Sequence, residues 1–244
     1  MARSLMPPKA ILIDLDDTII AFEILTKETW RRAARQFSGE INSVDPEILV
    51  TSVLNHSKSF WADPDRHRKW RQDLDAARKR IVESAFTDLG INDVELAERF
   101  AKLYSKMKWE SLYVFPGSTE AIDAAREQGI RTALITNGSS ESQRRKLERF
   151  SLEGHFDHIF IEGECGFGKP DPRIYKLALS ELQFSAGETW MVGDNIVWDV
   201  LAPQDLGIRG IWIRNRHVVD SKGYSGDPFL TIDSLSELTK YLKQ

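Results

Sequence analysis

The chain has 244 residues and a formal charge of −4, with 41% hydrophobic and 29% charged residues. Seven Trp, twelve Phe and five Tyr supply the apolar surface that a folded core needs, so the composition excludes a disordered or low-complexity protein. The small acidic excess gives no general electrostatic reason to bind a polyanion, and we expect no nucleic-acid partner. No apolar run approaches the roughly 18 residues that a membrane span needs.

A single cysteine, Cys165, excludes an internal disulfide and a thiolate metal site. This cysteine usage is typical of a reducing compartment. The first apolar run is also too short for a secretion signal, so we expect a cytoplasmic protein without a membrane partner. The length allows one large hydrophobic core or two smaller ones.

Five short apolar runs, rich in β-branched residues, predict buried strands. They occupy residues 9–16, 131–138, 158–163, 189–194 and 208–213. Between the later runs, helical spacing predicts helices at residues 118–128, 142–150 and 171–182. Because strands and helices alternate, we predict an α/β fold with a Rossmann-like, mainly parallel sheet and helices on both faces.

One long interval, 20–112, breaks this alternation. It has no strand pattern, and helical spacing predicts four helices there, at residues 22–37, 46–60, 74–89 and 94–109. We therefore predict an all-helical domain inserted after the first strand of an α/β core. The core would consist of residues 1–19 and 113–244.

Polar residues follow the predicted strands where each strand ends. The strand ends read Asp14-Leu15-Asp16-Asp17-Thr18, then Thr136-Asn137-Gly138, then a loop with Lys169, then Gly193-Asp194-Asn195 followed by Asp199. Ligands bind at the carboxyl ends of parallel strands, so we expect these side chains to meet in one crevice. Clustered carboxylates repel one another unless a cation lies among them, and their oxygen atoms suit Mg²⁺.

The spacing of Asp14 and Asp16 puts both side chains on one face if the strand stays extended. Two carboxylates at a strand end can then take different roles, one as nucleophile and one as general acid/base. Thr136 and the backbone amides around Asn137 and Gly138 are candidate donors to phosphate oxygens. Lys169 is a candidate countercharge for both the phosphate and the nucleophile.

In these motifs and their order, the chain resembles the haloacid dehalogenase superfamily of hydrolases along its whole length. The resemblance implies that Asp14 is the nucleophile, and that Asp16 protonates the leaving group and then activates water. It implies that Thr136 and Lys169 bind the phosphoryl group. It further implies Mg²⁺ held by the Asp14 side chain, the Asp16 backbone carbonyl and Asp194, with Asp199 in support. The helical interval resembles the C1 cap of the family.

Asp16 also distinguishes activities within the family. Haloacid dehalogenases resemble this fold but lack the second aspartate, since a halide leaving group needs no proton, and they need no Mg²⁺. The aspartate therefore favours a Mg²⁺-dependent phosphatase over a dehalogenase. A sugar-phosphate mutase forms the same aspartyl-phosphate and stays an alternative.

The motifs look most like the branch with nucleotidases, phosphoglycolate phosphatase and N-acylneuraminate-9-phosphatase. We accordingly expect a monomer or homodimer that acts on a small-molecule phosphate ester. A competing pattern lies at residues 163–169, which match G-x-x-x-x-G-K. Pro170 stands where a P-loop needs Ser or Thr, so we do not expect an NTPase.

The most unusual stretch of the insertion runs from Trp61 to Arg71 and combines two Trp with several basic residues. These residues either form a patch that receives an anionic or aromatic leaving group, or form an exposed loop and helix start with Trp in the cap core. The sequence leaves both interpretations open.

Overall fold

The computed structural model describes residues 6–41, 44–214 and 227–242. The chain divides into two compact units, one formed by Met1–Glu23 and Tyr113–Gln244, the other by Ile24–Leu112. Each unit contains its own hydrophobic cluster. Among the helices of the described ranges, none combines the length and the apolar character that crossing a bilayer requires.

The first strand, β1 (Ala10–Ile13), is followed by the helical unit. Its helices are α1 (Thr26–Phe37), α2 (Pro46–Trp61), α3 (Pro64–Trp70), α4 (Leu74–Asp88) and α5 (Val94–Ser111). An aspartate side chain caps each of α2 to α5 by accepting hydrogen bonds from first-turn N–H groups. The core of this unit is aromatic, with Trp30 stacked on Tyr104 at a centroid distance of 3.5 Å.

The start of the helical interval and one of its helices differ from the prediction. The first helix begins at Thr26, because residues 20–23 are tied to the α/β unit. Ile20 bridges Asp16 and Val114, and the Ala21 N–H donates to the Tyr113 carbonyl. Helix α3 was not predicted, because its seven residues are too few to establish a period of 3.6.

The α/β unit continues after the helical unit. Its elements are α6 (Ser118–Glu127), β2 (Arg131–Thr136), α7 (Ser140–Arg149), β3 (His158–Ile161), α8 (Glu162–Cys165), α9 (Pro172–Leu182), β4 (Thr189–Gly193), α10 (Ala202–Gln204), β5 (Arg209–Ile213), β6 (Leu230–Ile232) and α11 (Thr239–Leu242). A π-helix, Ile196–Leu201, follows β4. Such turns of π-helix recur at functional sites.

The sheet has six strands in the order β3-β2-β1-β4-β5-β6, and every adjacent pair is parallel. Five of the strands lie inside the five predicted segments, and the predicted α/β class with a Rossmann-like parallel sheet is confirmed. The sixth strand, β6, was missed because three residues show no pattern of their own. Strands β1 and β4 are buried throughout, which explains their continuous apolar sequences.

The register of the central strands sets the position of the polar strand ends. Ile13, the last residue of β1, pairs with Leu134 of β2 and Val192 of β4. Asp14, Thr136 and Asp194 therefore leave the sheet within about one residue of the same level. The sheet edge where they emerge is the ligand-binding edge of a parallel α/β sheet.

Candidate active site

A buried lysine between two aspartates forms the centre of the site. The Lys169 ammonium donates to Asp14 Oδ1 and to Asp199 Oδ1, each at 2.6 Å. The lysine side chain is 2% exposed, and those of Asp14 and Asp199 are 10% and 0% exposed. The Thr18 hydroxyl lies 3.4 Å from the other Asp14 oxygen, to which it donates. The Asp14 carboxylate is thus held by groups from two loops of the sheet edge.

Three carboxylates share one lysine at this centre, counted over the described residues: Asp14, Asp194 and Asp199 lie around Lys169. Burial raises the pKa of Asp14 to about 7, although Lys169 acts in the opposite direction. Burial also raises the pKa of Asp194 well above its ordinary value, and the Asp14 and Asp199 carboxylates add to the rise. Burial lowers the pKa of Lys169, but Asp14 and Asp199 outweigh it and hold the pKa above its ordinary value. The lysine therefore stays charged, while the aspartates compete for one positive neighbour.

The donor set at this centre fits a hard divalent cation. Asp14, Asp194 and Asp199 each offer a carboxylate oxygen, and these oxygens lie within 4.8 Å of one another. Carboxylate oxygens are the ligands that Mg²⁺ prefers. Both oxygens of Asp199 are already engaged, one by Lys169 and the other by the Asn195 N–H at 3.0 Å. Asp14 Oδ2, by contrast, has among the described residues only the long 3.4 Å contact from the Thr18 hydroxyl. Asp14 and Asp194 are therefore better placed than Asp199 to serve as direct ligands.

Gly193 allows Asp199 to approach the end of β4. A Cβ atom added at Gly193 would overlap the Asp199 carboxylate. Asp199 belongs to the π-helix Ile196–Leu201, and its carboxylate fills the space that a side chain at position 193 would need. A larger residue at position 193 would displace Asp199 and, with it, the partner of Lys169.

The backbone amides around Asn137 and Gly138 were predicted to bind phosphate, and the structure pairs the Asn137 side chain and the Gly138 N–H with groups of the protein. The Asn137 side chain spans the backbone of Lys169, with its amide donating to the Lys169 carbonyl and its oxygen accepting from the Lys169 N–H, each at 2.8 Å. The Gly138 N–H donates to Glu162 Oε2 at 2.9 Å. The two residues therefore hold the Lys169 loop and the α8 start in place. No motif of the sequence indicated Glu162, whose side chain is buried and accepts the hydrogen bond from Gly138.

Asp16 lies in a second polar group, beside the first. Its two oxygens accept from the Lys146 ammonium at 2.7 and 2.8 Å, and Oδ2 also accepts from the Gln143 amide at 3.1 Å. The same Gln143 nitrogen donates to the Thr136 hydroxyl at 2.5 Å. The Lys146 nitrogen also lies 4.0 Å from the centroid of the Phe22 ring.

Gln143 and Lys146 were missed by the sequence analysis. The available signal was their spacing, since residues three apart on a predicted helix share a face. The sequence does not show which face of α7 is turned toward Asp16, because the contacts join residues 127 and 130 positions apart.

Asp17 supports the turn that follows the two aspartates. Its backbone is left-handed, with φ at 58°, and its carboxylate accepts from the N–H groups of Phe22 and Glu23 at 2.9 and 2.7 Å. Burial raises the pKa of Asp17 to about 6, although these backbone donors act in the opposite direction. Asp and Asn tolerate this backbone conformation better than most residues. The role of Asp17 is thus to fix the chain that leaves the site.

The stretch from Trp61 to Arg71 is described within the helical unit alone. Most of it forms α3, which Asp63 caps. The Phe60 ring contacts both Trp61 and Trp70, at centroid distances of 5.0 and 5.9 Å. Arg66 lies over Phe60, and Lys69 and Arg80 lie over Trp70. The tryptophans are half-buried, so the segment is a helix with cations stacked on its aromatic rings.

Comparison with known proteins gives a consistent picture. The sequence profile of the haloacid dehalogenase-like hydrolases matches residues 8–207. The chain is 32% identical over 233 residues to the pyrimidine 5'-nucleotidase YjjG of Escherichia coli (strain K12), which covers 95% of this chain and 96% of that protein. It is 35% identical over 153 residues to a phosphoserine phosphatase of Thermus thermophilus, a match that covers 63% of this chain and 56% of the relative's length.

Among solved structures, the HAD-hydrolase YfnB of Bacillus subtilis aligns with a TM-score of 0.73 at 20% identity, covering 98% of this chain and 100% of that one. At this identity the likeness concerns the fold alone. The family profile covers most of the chain, and the curated relatives above are named as phosphatases or nucleotidases. The chain therefore belongs to the haloacid dehalogenase-like hydrolase family and is a phosphoric monoester hydrolase.

Proposed function

We propose that this enzyme hydrolyses a small-molecule phosphomonoester in two steps through a phosphoryl group on Asp14, with Mg²⁺ bound among the strand-end aspartates. The observation that supports this proposal most directly is the buried Asp14 carboxylate, paired with Lys169 at 2.6 Å beside Asp194 and Asp199. A carboxylate in this setting is shielded from bulk water and has a cation beside it. These are conditions for nucleophilic catalysis by an aspartate.

In the first step, an Asp14 oxygen attacks phosphorus and the bond between phosphorus and the ester oxygen breaks. The leaving oxygen takes a proton from Asp16, so the product alcohol departs neutral. The Thr136 hydroxyl and the Lys169 ammonium bind the phosphoryl oxygens. Gly138 has no part in this proposal, because its N–H donates to Glu162.

In the second step, Asp16 accepts a proton from water, and the water oxygen attacks phosphorus. The bond between phosphorus and the Asp14 oxygen then breaks, which releases inorganic phosphate and restores the Asp14 carboxylate. Lys169 stays charged throughout and offsets the charge on Asp14. Asp16 returns to its protonated form, ready for the next substrate.

We assign Mg²⁺ to the side chains of Asp14 and Asp194 and the backbone carbonyl of Asp16, with Asp199 in support through Lys169. When bound, the ion would offset the negative charge of the phosphoryl group and of the aspartates around it. The hydrogen bonds that already engage both Asp199 oxygens support its indirect role.

We assign the helical unit, Ile24–Leu112, the role of a cap that limits access of bulk water during the reaction. Its place in the chain supports this role, since it follows directly after the segment with Asp14 and Asp16. The class of substrate is inferred from relatives named for phosphoserine and for pyrimidine nucleotides, both small phosphate esters.

The proposal is tested by phosphate release from a panel of nucleoside monophosphates, sugar phosphates, phosphoglycolate and p-nitrophenyl phosphate. Activity is measured with Mg²⁺, in excess EDTA, and after Mg²⁺ is restored. Asp14→Asn is compared with Asp205→Asn, which changes an exposed aspartate of the same unit. We expect turnover to fall on the order of 10⁵-fold in Asp14→Asn and to stay unchanged in the control.

Three results would contradict parts of the proposal separately. Retained turnover in Asp14→Asn would remove the nucleophile from this position. Full activity in excess EDTA would contradict the metal and reopen the dehalogenase alternative. An isomeric sugar phosphate as product, without free phosphate, would show a mutase.

A further inference from the structure

The hydrogen bond between Gln143 and Thr136 restricts the direction of the threonine hydroxyl. An amide nitrogen can only donate, so the Thr136 oxygen accepts from Gln143 at 2.5 Å. The hydroxyl proton must then point elsewhere. Within the protein, the Asn137 carbonyl lies 3.4 Å from this oxygen, which is long for an O–H donor. The proton is therefore available for a phosphoryl oxygen.

The same nitrogen of Gln143 links Thr136 to Asp16. It donates to Asp16 Oδ2 at 3.1 Å, and the Gln143 side chain is buried. A group that binds phosphate and a group that exchanges protons thus share one donor. Because buried side chains are held in single rotamers by close packing, the position of α7 determines how both groups are aimed.

Lys146 fixes the same carboxylate from the next turn of α7. Its ammonium reaches both Asp16 oxygens at 2.7 and 2.8 Å, and its side chain is 3% exposed. The centroid of the Phe22 ring lies 4.0 Å from the same ammonium. A cation with two contacts to one carboxylate sets the plane of that carboxylate as well as its distance.

We infer that Gln143 and Lys146 are positioning residues of the hydrolase. Gln143 turns the Thr136 hydroxyl into a donor toward the phosphoryl group, and Gln143 and Lys146 together aim the Asp16 carboxylate at the leaving oxygen. This inference rests on the proposed function, because it takes Asp16 as the acid/base and Thr136 as a phosphoryl ligand. Neither residue touches substrate in this account.

Gln143→Glu tests the hydroxyl direction. Glutamate and glutamine have nearly the same shape, but an ionised carboxylate can only accept, so the Thr136 proton turns toward it and away from phosphate. The new carboxylate would also repel Asp16, which the native amide contacts at 3.1 Å, and the phosphate. Gln143→Met is therefore measured beside it, because it removes the donor without adding charge, and a rise of both constants in this variant excludes simple repulsion. We expect KM for the ester and the inhibition constant of inorganic phosphate each to rise about tenfold, the equivalent of one lost hydrogen bond. Gln128→Glu, at the exposed glutamine directly after α6, is the matched control and should change neither constant.

Lys146→Met tests the aim of Asp16. General acid catalysis matters most for a poor leaving group, so misdirection of the acid should affect a sugar phosphate more than p-nitrophenyl phosphate. We expect kcat to fall about tenfold or more for the sugar phosphate and less than about threefold for the aryl ester. Lys146→Arg, which keeps the charge, should recover part of the difference. Lys176→Met, at an exposed lysine of α9, is the control.

A purely structural role predicts a different pattern. Loss of active protein would lower kcat by the same factor for both esters and would leave KM and phosphate inhibition unchanged, and that result would overturn the inference. If Lys146→Met does not fold, as judged by thermal unfolding, Gln143→Glu decides the question through phosphate inhibition.

Asp16→Asn is measured in parallel to separate this inference from the proposed function. If Asp16→Asn slows both esters equally, the acid/base assignment fails and the positioning roles fail with it. If Asp16→Asn is selective but the Gln143 and Lys146 variants are not, the positioning roles alone are wrong. Selective losses in all three variants support both.

Discussion

Two buried lysines stand at the edge of the sheet, and their surroundings differ. Lys169 lies between Asp14 and Asp199, whose side chains are 10% and 0% exposed. Lys146 pairs with Asp16, whose side chain is 26% exposed, and its other neighbour is the Phe22 ring. Lys169 thus lies between two buried carboxylates, whereas Lys146 contacts a carboxylate that is partly exposed to solvent.

The difference matches the roles proposed for the two aspartates, Asp14 as nucleophile and Asp16 as acid/base. A nucleophile must stay in one position, and a carboxylate in a dry pocket with a cation 2.6 Å away has little freedom. An acid/base must exchange protons with a leaving group and then with water, so its carboxylate needs partial access to solvent. Both lysines are buried and both form salt bridges, but only the Lys169 pair has a carboxylate that is buried as well.

The largest effect is expected when Lys169 is removed, and removal of Lys146 is the comparison. Lys169→Met leaves two buried carboxylates without their cation, and we expect the free energy of unfolding to fall by about 3 kcal/mol or more. We expect activity to drop on the order of 10³-fold, since both phosphate binding and the setting of Asp14 are lost. Lys146→Met should cost only about 1 to 2 kcal/mol, because water can solvate the partly exposed Asp16.

Urea unfolding in EDTA measures both variants without compensation by a metal ion. Phosphate release from p-nitrophenyl phosphate reports activity. Equal losses in the free energy of unfolding would contradict the comparison. They would show that solvent access to Asp16 does not reduce the cost of removing Lys146.

A smaller effect is expected at Gly193, which acts on the Lys169 side. The Cβ of Gly193→Ala would overlap the Asp199 carboxylate and force it away from Lys169. We expect a loss of about 1 to 3 kcal/mol in the free energy of unfolding, as for other overpacked sites. Activity should fall with it, measured with the same ester.

Gly187→Ala is the matched control, because a Cβ at this exposed glycine meets nothing within 4 Å. It should change the free energy of unfolding by less than about 0.5 kcal/mol. If both alanine variants lose the same free energy of unfolding, the close approach of Asp199 to β4 does not stabilise the contact between Asp199 and Lys169.

The smallest effect is expected at Phe22, on the Lys146 side. Phe22→Leu keeps an apolar contact but removes the ring face, and we expect a loss of about 1 kcal/mol with a change of less than about threefold in the sugar phosphate to aryl ester ratio. Phe150→Leu is the control, since Arg149 lies 4.9 Å from that ring and neither residue contacts Asp16. The ester ratio should move in Phe22→Leu and stay constant in Phe150→Leu.

Much of the fold was predictable because it is local. The apolar runs that became β1, β2, β3, β4 and β5 are long enough to be recognised, and single aspartates cap α2 to α5 and α9. Helix α3 and strand β6 escaped because each spans fewer than two full repeats of its period, too few to show a pattern. Their existence depends on neighbours in space.

At the site, the sequence by itself determined which chemical groups stand at the strand ends. Asp14, Thr136 and Asp194 each follow a buried strand, and parallel pairing brings such ends to one edge of a sheet. The pairing of Lys169 with Asp14 and Asp199 follows from the same edge, since the loops are short and burial demands a partner for each charge.

Only the tertiary structure decided the partners of the other groups. Gln143 and Lys146 both contact Asp16, and the Asn137 side chain bonds to the Lys169 backbone. Each of these hydrogen bonds joins residues more than 30 positions apart. Sequence periodicity gives the face of a helix but not the neighbour that the face meets. That choice is made by the packing of α7 against the sheet edge, where each buried polar group must find a partner.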